Sequence, residues 1–139
     1  MKLLKTLCEI QAPSGDEVLM KSFLLNYIED CKSNWKAEPE VFHGRELQNC
    51  IVLAFGAPKT AVFAHMDSSG FTVRYLDQLV PIGSPDVENG CNLVGKDSLG
   101  PIECTLSISK DNVASYNFSR TIDTGTNLLF KPDFRETKD

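Results

Sequence analysis

Apolar residues at the start of the chain recur at helical spacing. Leu3, Leu4, Leu7 and Cys8 are interleaved with Lys2, Lys5 and Glu9, a period that predicts a short amphipathic helix. Ala12-Pro13 ends it, because proline disfavours a helical residue before it. Ser14-Gly15-Asp16-Glu17 then reads as a capping box, with Ser14 as N-cap and Glu17 reaching back. Met20, Phe23, Leu24, Tyr27, Ile28 and Cys31 form the apolar stripe of a second helix, whose expected role is core packing.

The period then changes. Glu40-Val41-Phe42 is a weak strand candidate and Asn49 to Phe55 a strong one. Gly56-Ala57-Pro58-Lys59 is a turn, and Thr60 to Ala64 resumes a buried strand. Near-continuous apolar runs of this kind suggest strands covered on both faces, as in an α/β sheet. Gly70 to Leu76 alternates more and looks half exposed. Beyond Tyr75, Gly83, Pro85, Gly90, Gly95, Gly100 and Pro101 punctuate short strand-like pieces, at Cys91 to Val94, Ile102 to Ser109, Val113 to Phe118 and Asn127 to Phe130. With no helical period of ten residues there, the segment predicts a small β-barrel or twisted β module. The expected organisation is the start of an α/β domain over residues 1–75, a β-rich module over 76–130, and a return toward the first domain over 131–139.

Composition narrows the function classes. The 139 residues are 42% hydrophobic and 24% charged, enough to bury a core. The net charge of -5 leaves no basic block to neutralise phosphates, which argues against nucleic acid. No apolar run approaches the ~20 residues a membrane helix needs. Met1 to Lys5 is broken by charge and does not resemble a signal peptide, so a cytoplasmic location is the default expectation. Cys8, Cys31, Cys50, Cys91 and Cys104 are widely and irregularly spaced. They fit free thiols packed as small apolar residues better than a disulfide framework or a structural zinc site.

The sharpest candidate chemistry is Ala64-His65-Met66-Asp67. On a strand, residues two apart share a face, so His65 and Asp67 would project together where the strand runs out into Ser68-Ser69-Gly70. A neutral imidazole there can ligate a metal, and a carboxylate two residues on can hold its tautomer. From H-x-D alone, a strand-end histidine followed by an ordinary turn acid is the favoured explanation, because the pattern is short and common. His43 lies in a polar loop and is expected to be solvated. Asp123-Thr124-Gly125-Thr126 resembles a turn stabilised by its Asp side chain.

A resemblance changes these weights. Leu4, Leu7 and Cys8 through Ala12-Pro13-Ser14-Gly15-Asp16-Glu17 resemble the opening of the M42 family of metallo-aminopeptidases. Val62-Phe63-Ala64-His65-Met66-Asp67 resembles that family's first metal-ligand strand, and Gly70-Phe71-Thr72-Val73 continues the match. Val80 to Gly83, Leu93-Val94-Gly95 and Asp123 to Phe134 are similar to its inserted β domain. The pieces run in order over nearly the whole chain. The resemblance implies an α/β catalytic domain interrupted by a β-barrel-like insert that caps the site and drives homo-oligomer assembly. It implies a peptide substrate cleaved at its N-terminal residue, and two divalent metals, zinc in first place with cobalt or manganese as alternatives. It makes His65 a metal ligand and Asp67 a catalytic residue, the acid that orients His65 or nearby groups, with no part in binding metal itself. Ser68 departs from the family, many of whose members carry an acid there. The family's bridging aspartate, Glu-Glu pair and later Asp and His ligands follow the insert, so the resemblance implies that these 139 residues correspond to the N-terminal part of such an enzyme. Two other readings remain open: a non-catalytic binding or assembly module, and a related metal-dependent amidohydrolase or deacylase.

Overall fold

The computed structural model describes residues 2–134. Two helices open the chain, α1 (Lys2–Glu9) and α2 (Val18–Cys31). A two-stranded antiparallel ribbon follows, β1 (Glu40–Phe42) with β2 (Val52–Ala54). The remaining strands are β3 (Gly70–Val73), β4 (Leu79–Ile82), β5 (Asn92–Asp97), β6 (Gly100–Ile108), β7 (Ala114–Asn117) and β8 (Asn127–Phe130). They form one six-stranded antiparallel sheet in the order β4-β3-β8-β5-β6-β7. The chain thus mixes helix and strand, and its largest element is a sheet curled nearly into a barrel. Residues 135–139, part of the expected return to the first domain, lie outside the described residues.

The barrel holds the core. Along β5 and β6 alternate residues point inward, so Leu93, Ile102, Cys104 and Leu106 are buried while Asn92, Lys96 and Glu103 face water. Phe71, Val73, Leu79, Tyr116, Ile122 and Leu128 complete the same cluster. Removing a Leu or Phe side chain from water contributes about 1.5–3 kcal/mol, and this cluster is where such side chains converge. The ends of the sheet meet through the Gln78–Ser115 bridge and the Tyr116 amide, which donates to the Asp77 carbonyl at 3.0 Å. The buried Tyr116 hydroxyl donates to the Leu76 carbonyl at 3.1 Å and accepts the Ile122 amide at 2.9 Å. One phenol thereby satisfies two main-chain groups at the closing seam.

Strand β8 passes very close to both neighbours. A Cβ at Gly70 would sit 2.6 Å from the Leu128 carbonyl oxygen, and one at Gly95 would collide with the Asn127 carbonyl oxygen and the Leu128 side chain. The β5–β6 turn is tied down by charge. Arg120 grips Asp97 in a bidentate pair at 2.5 and 2.8 Å, and Asp123 accepts the Ser98 amide at 3.1 Å and its hydroxyl at 2.5 Å. Asp123 therefore reaches across to another hairpin, where the sequence suggested that it would brace its own turn.

Four expectations are corrected. Thr60 to Ala64 forms no strand, and Val62 and Phe63 are each 92% exposed. Of the Asn49–Phe55 run only Val52–Ala54 is strand, paired on one side with β1. Cover on both faces, expected of these apolar runs, is not found: β2 pairs with β1 in a two-stranded sheet, and Val52 and Phe55 are exposed. Gly70 to Leu76 is half exposed as expected, though in two blocks: Gly70, Phe71 and Val73 are buried between β4 and β8, and Arg74, Tyr75 and Leu76 are exposed. Of the cysteines, Cys104 alone is buried, Cys31 and Cys91 are half-buried, and Cys8 and Cys50 are exposed, all five as free thiols. Burial pushes the Cys104 thiol up to about 11.

Replacing Gly95 with Ala is expected to lower barrel stability by about 1–3 kcal/mol, the usual cost of overpacking. Urea unfolding followed on the amides of β5 and β8 measures this, and an unchanged midpoint would show that the close approach is not required. The Arg120 pair sets an acid response. Its hydrogen bonds hold the Asp97 carboxyl at about 2, below its ordinary 3.8. The carboxylate's contribution is therefore complete above its ordinary value and is lost as pH falls through the folded one. Arg120→Gln should lower the melting temperature at neutral pH and flatten its decline between roughly pH 4 and pH 2 relative to wild type.

Candidate functional site

The site is built where the opening turn meets the segment that feeds β3. Residues 12–14 run parallel to 67–68, with the Ser68 amide donating to the Ala12 carbonyl at 2.7 Å and Pro13 bridged to Ser68. Ala12 is fully buried at this crossing. The chain then turns sharply. The Asp16 amide donates to the Pro13 carbonyl at 2.8 Å, and Gly15 takes φ +93°, a conformation that glycine adopts without steric cost.

This turn is not the expected capping box. Helix α2 begins at Val18, with Glu17 at the N-cap and no side-chain cap. Ser14 lies too far ahead of the helix to meet its free amides, and its hydroxyl donates to Asp67 Oδ2 instead. The Glu17 carboxylate accepts the Gly15 amide at 2.7 Å and the Asn49 side-chain amide. The Gly15 amide is the main cause holding Glu17 below the usual carboxylate range. Lys21 on α2 donates to the Gln48 carbonyl, so the loop before β2 is drawn onto the same turn.

The structure brings His65 and Asp67 together, although the segment carrying them is extended chain rather than strand. His65 Nδ1 lies 3.0 Å from the Asp67 carbonyl oxygen and 3.3 Å from Asp67 Oδ1. Both partners are acceptors, so Nδ1 carries the proton of the neutral ring and Nε2 keeps its lone pair. The imidazole is 86% exposed, so these contacts rather than packing orient it. Asp67 is held below its ordinary value, first by the Ser14 hydroxyl and, more weakly, by His65. Chemically, the pair presents one oriented nitrogen donor. Among the described residues no three His, Cys, Asp or Glu side chains gather to hold a metal. His43 lines a recess of about 700 Å³ with Val41, Phe42 and Arg45.

Ser14 and Asn49 join the site without a local signal: the capping pattern assigns Ser14 to α2, and the apolar run places Asn49 in a strand. Ser14 and Asp67 are 53 residues apart, and no local pattern joins them.

An 80-residue stretch, 56% of this chain, is 36% identical to a protein of Escherichia coli (strain K12) described as "Putative aminopeptidase FrvX". The chain is similar to an aminopeptidase-named protein. The match spans 20% of that protein's length. No family model matches the chain. No helix among the described residues is long and apolar enough to cross a membrane.

Removing the Ser14 hydroxyl should raise the Asp67 pKa toward its ordinary value, because the largest of the causes that lower it is gone. Side-chain carboxyl NMR titration of the Ser14→Ala variant reads this directly. Since the folded value is depressed, Asp67 stabilises the fold above its unfolded pKa and loses that contribution as pH falls through the folded one. The variant should show a weaker loss over that window.

Proposed function

We propose that the chain is part of a metal-dependent aminopeptidase, with His65 as a metal ligand and Asp67 as the residue that orients it. The observation that carries this reading is the His65–Asp67 pair, whose geometry leaves Nε2 available as a donor. Similarity over 80 residues to an aminopeptidase-named protein supports it, as does the ordered resemblance to the M42 metallo-aminopeptidases. Carboxylate-supported histidine is a recurrent way to fix the tautomer of a metal ligand.

On this reading the donor chemistry fits a divalent ion, zinc in first place and cobalt or manganese after it. His65 is one ligand of a set whose other members and glutamate base lie outside the described residues. A divalent ion held there would supply Lewis-acid polarisation of the scissile carbonyl and activation of water. Asp67 holds the ring through Nδ1, and Ser14 and the Ala12–Ser68 pairing keep Asp67 in place. The substrate is the N-terminal end of a peptide. On this reading the residues before β3 belong to the catalytic unit, and the barrel from Gly70 to Phe130, which takes in β3 and so begins earlier than the 76–130 expected from the sequence, is the insert that assembles copies into a homo-oligomer in the cytoplasm. Leu76 and Leu99, at 74% and 72% exposed on hairpin tips of the barrel, are surfaces suited to such assembly.

In the complete protein, His65→Ala should abolish release of amino acids from aminoacyl chromogenic substrates. Asp67→Asn should cost about 10–100-fold while leaving the protein folded. The 139-residue chain by itself should show no turnover. It should also gain far less than the ~2.7 kcal/mol that a competent site receives at a hundredfold excess of ligand over Kd. Wild-type turnover in the full-length His65→Ala variant would sink the reading at its central residue.

A further inference from the structure

The geometry points to Ser14 as a positioning residue for His65, acting through Asp67: its hydroxyl fixes the carboxylate that keeps the imidazole proton on Nδ1 and leaves Nε2 open. The purpose of this arrangement rests on the aminopeptidase reading above; the arrangement itself does not.

An unconstrained neutral imidazole favours the proton on Nε2, and in that form Nε2 is no ligand. His65 is highly exposed and has no packed wall to hold it, so the tautomer depends on what faces Nδ1. That is the Asp67 carbonyl at 3.0 Å and Oδ1 at 3.3 Å. The carboxylate sits on irregular chain and could turn Oδ1 away from the ring. Ser14 opposes this by donating to Oδ2, so that each oxygen of Asp67 has its own partner. Ser14 is in turn held by its turn. Gly15 is fixed by the Glu17 carboxylate at 2.7 Å, and Glu17 by the Asn49 amide. Glu17 is the other carboxylate of this turn. Both its oxygens are engaged by Gly15 and Asn49, so the Ser14 hydroxyl is left to Asp67. The supports therefore run from Asn49 through Glu17 and Gly15 to Ser14, Asp67 and the ring.

The chain has two histidines, so long-range proton–nitrogen NMR of the imidazoles tests this with His43 as an internal reference. The probe is the protein alone, without metal, at one pH at which both rings are neutral. The wild type should show His65 mainly as the Nδ1–H form. Ser14→Ala should raise the Nε2–H share of His65, with the Asp67 carbonyl remaining as an acceptor for Nδ1, and Ser14→Thr, which keeps the hydroxyl, should restore the wild-type ratio. A merely structural role would lower the melting temperature of Ser14→Ala and leave the ratio unchanged, and that result would overturn the proposal. Should Ser14→Ala fail to fold, as judged from barrel amides, Asp67→Asn serves. With Ser14 donating to the new amide oxygen, the NH2 would face Nδ1 and raise the Nε2–H share against the main-chain carbonyl, which remains. An unchanged ratio there would also overturn it. A tautomer shift in Ser14→Ala alongside wild-type turnover in full-length His65→Ala would discard the aminopeptidase reading and leave the positioning role standing.

Discussion

Strand β8 comes last in chain order and lies in the middle of the sheet, and the rest of the structure depends on that placement. It separates β3 from β5 and pairs with both, Leu129 opposite Gly70 on one side and Val94 on the other. Two consecutive residues, Leu128 and Leu129, are buried, which a strand tolerates when both its faces are covered. The approach is close enough that the facing positions must be glycine at Gly70 and Gly95. Pairing 57 positions back along the chain is expensive in loop entropy. The reward comes only when Phe71, Leu93 and Leu128 meet in one cluster. Once β8 is in place the beginning of β3 is fixed, and with it Asp67, three residues upstream. The opening turn then docks on 67–68. The position of an exposed imidazole is in this way traced back to a buried strand.

Stability is unevenly spread along this sequence of supports. The barrel has a contiguous apolar core, whereas α1 buries no residue, α2 buries Met20 and Ile28, and the β1–β2 ribbon has three paired positions. Regions with few buried apolar contacts open at lower free energy than packed ones. The candidate site lies on the border between the two regimes. It is joined to the helical side mainly by polar contacts: Ser14 with Asp67, Asn49 with Glu17, and Lys21 with Gln48. These bonds are exposed or half-buried and screened by solvent, so each contributes little by itself, but little apolar packing stands beside them to hold the site.

What could be read from the sequence follows the same division. The period-2 pattern of Ile102, Cys104 and Leu106 is legible because one face of β6 is buried and the other is wet, and Asn127–Phe130 was bounded correctly from its turn residues. The β1 triplet was also bounded correctly from a weak signal. Where burial depends on a partner, the pattern misleads. Thr60–Ala64 has the composition of a core strand and lies in the open, because apolarity specifies a preference for cover and not the presence of it. Ser14–Glu17 fits a capping box in every local respect. It lost to a charged acceptor 53 residues away, which no local pattern encodes. His65 and Asp67 were paired from their i, i+2 spacing. They do meet, but through a main-chain carbonyl and a carboxylate on irregular chain rather than through a shared strand face.

The apolar run and the candidate ligand belong to one segment, and this bears on how the site would be completed. Val62 and Phe63 are the most exposed large apolar residues among those described, and His65 follows within three positions. The segment leaves Val62 and Phe63 uncovered and, on the aminopeptidase reading, presents Nε2 as a donor. Burial of two such side chains is worth several kcal/mol by area, on the order of 1.5–3 each, whereas one imidazole cannot hold a metal unaided. On the aminopeptidase reading, an element that covered Phe63 would come close to His65, two positions further along the same extended chain. Packing would supply the free energy, and the polar supports behind Asp67 would ensure that the nitrogen presented to it is the unprotonated one.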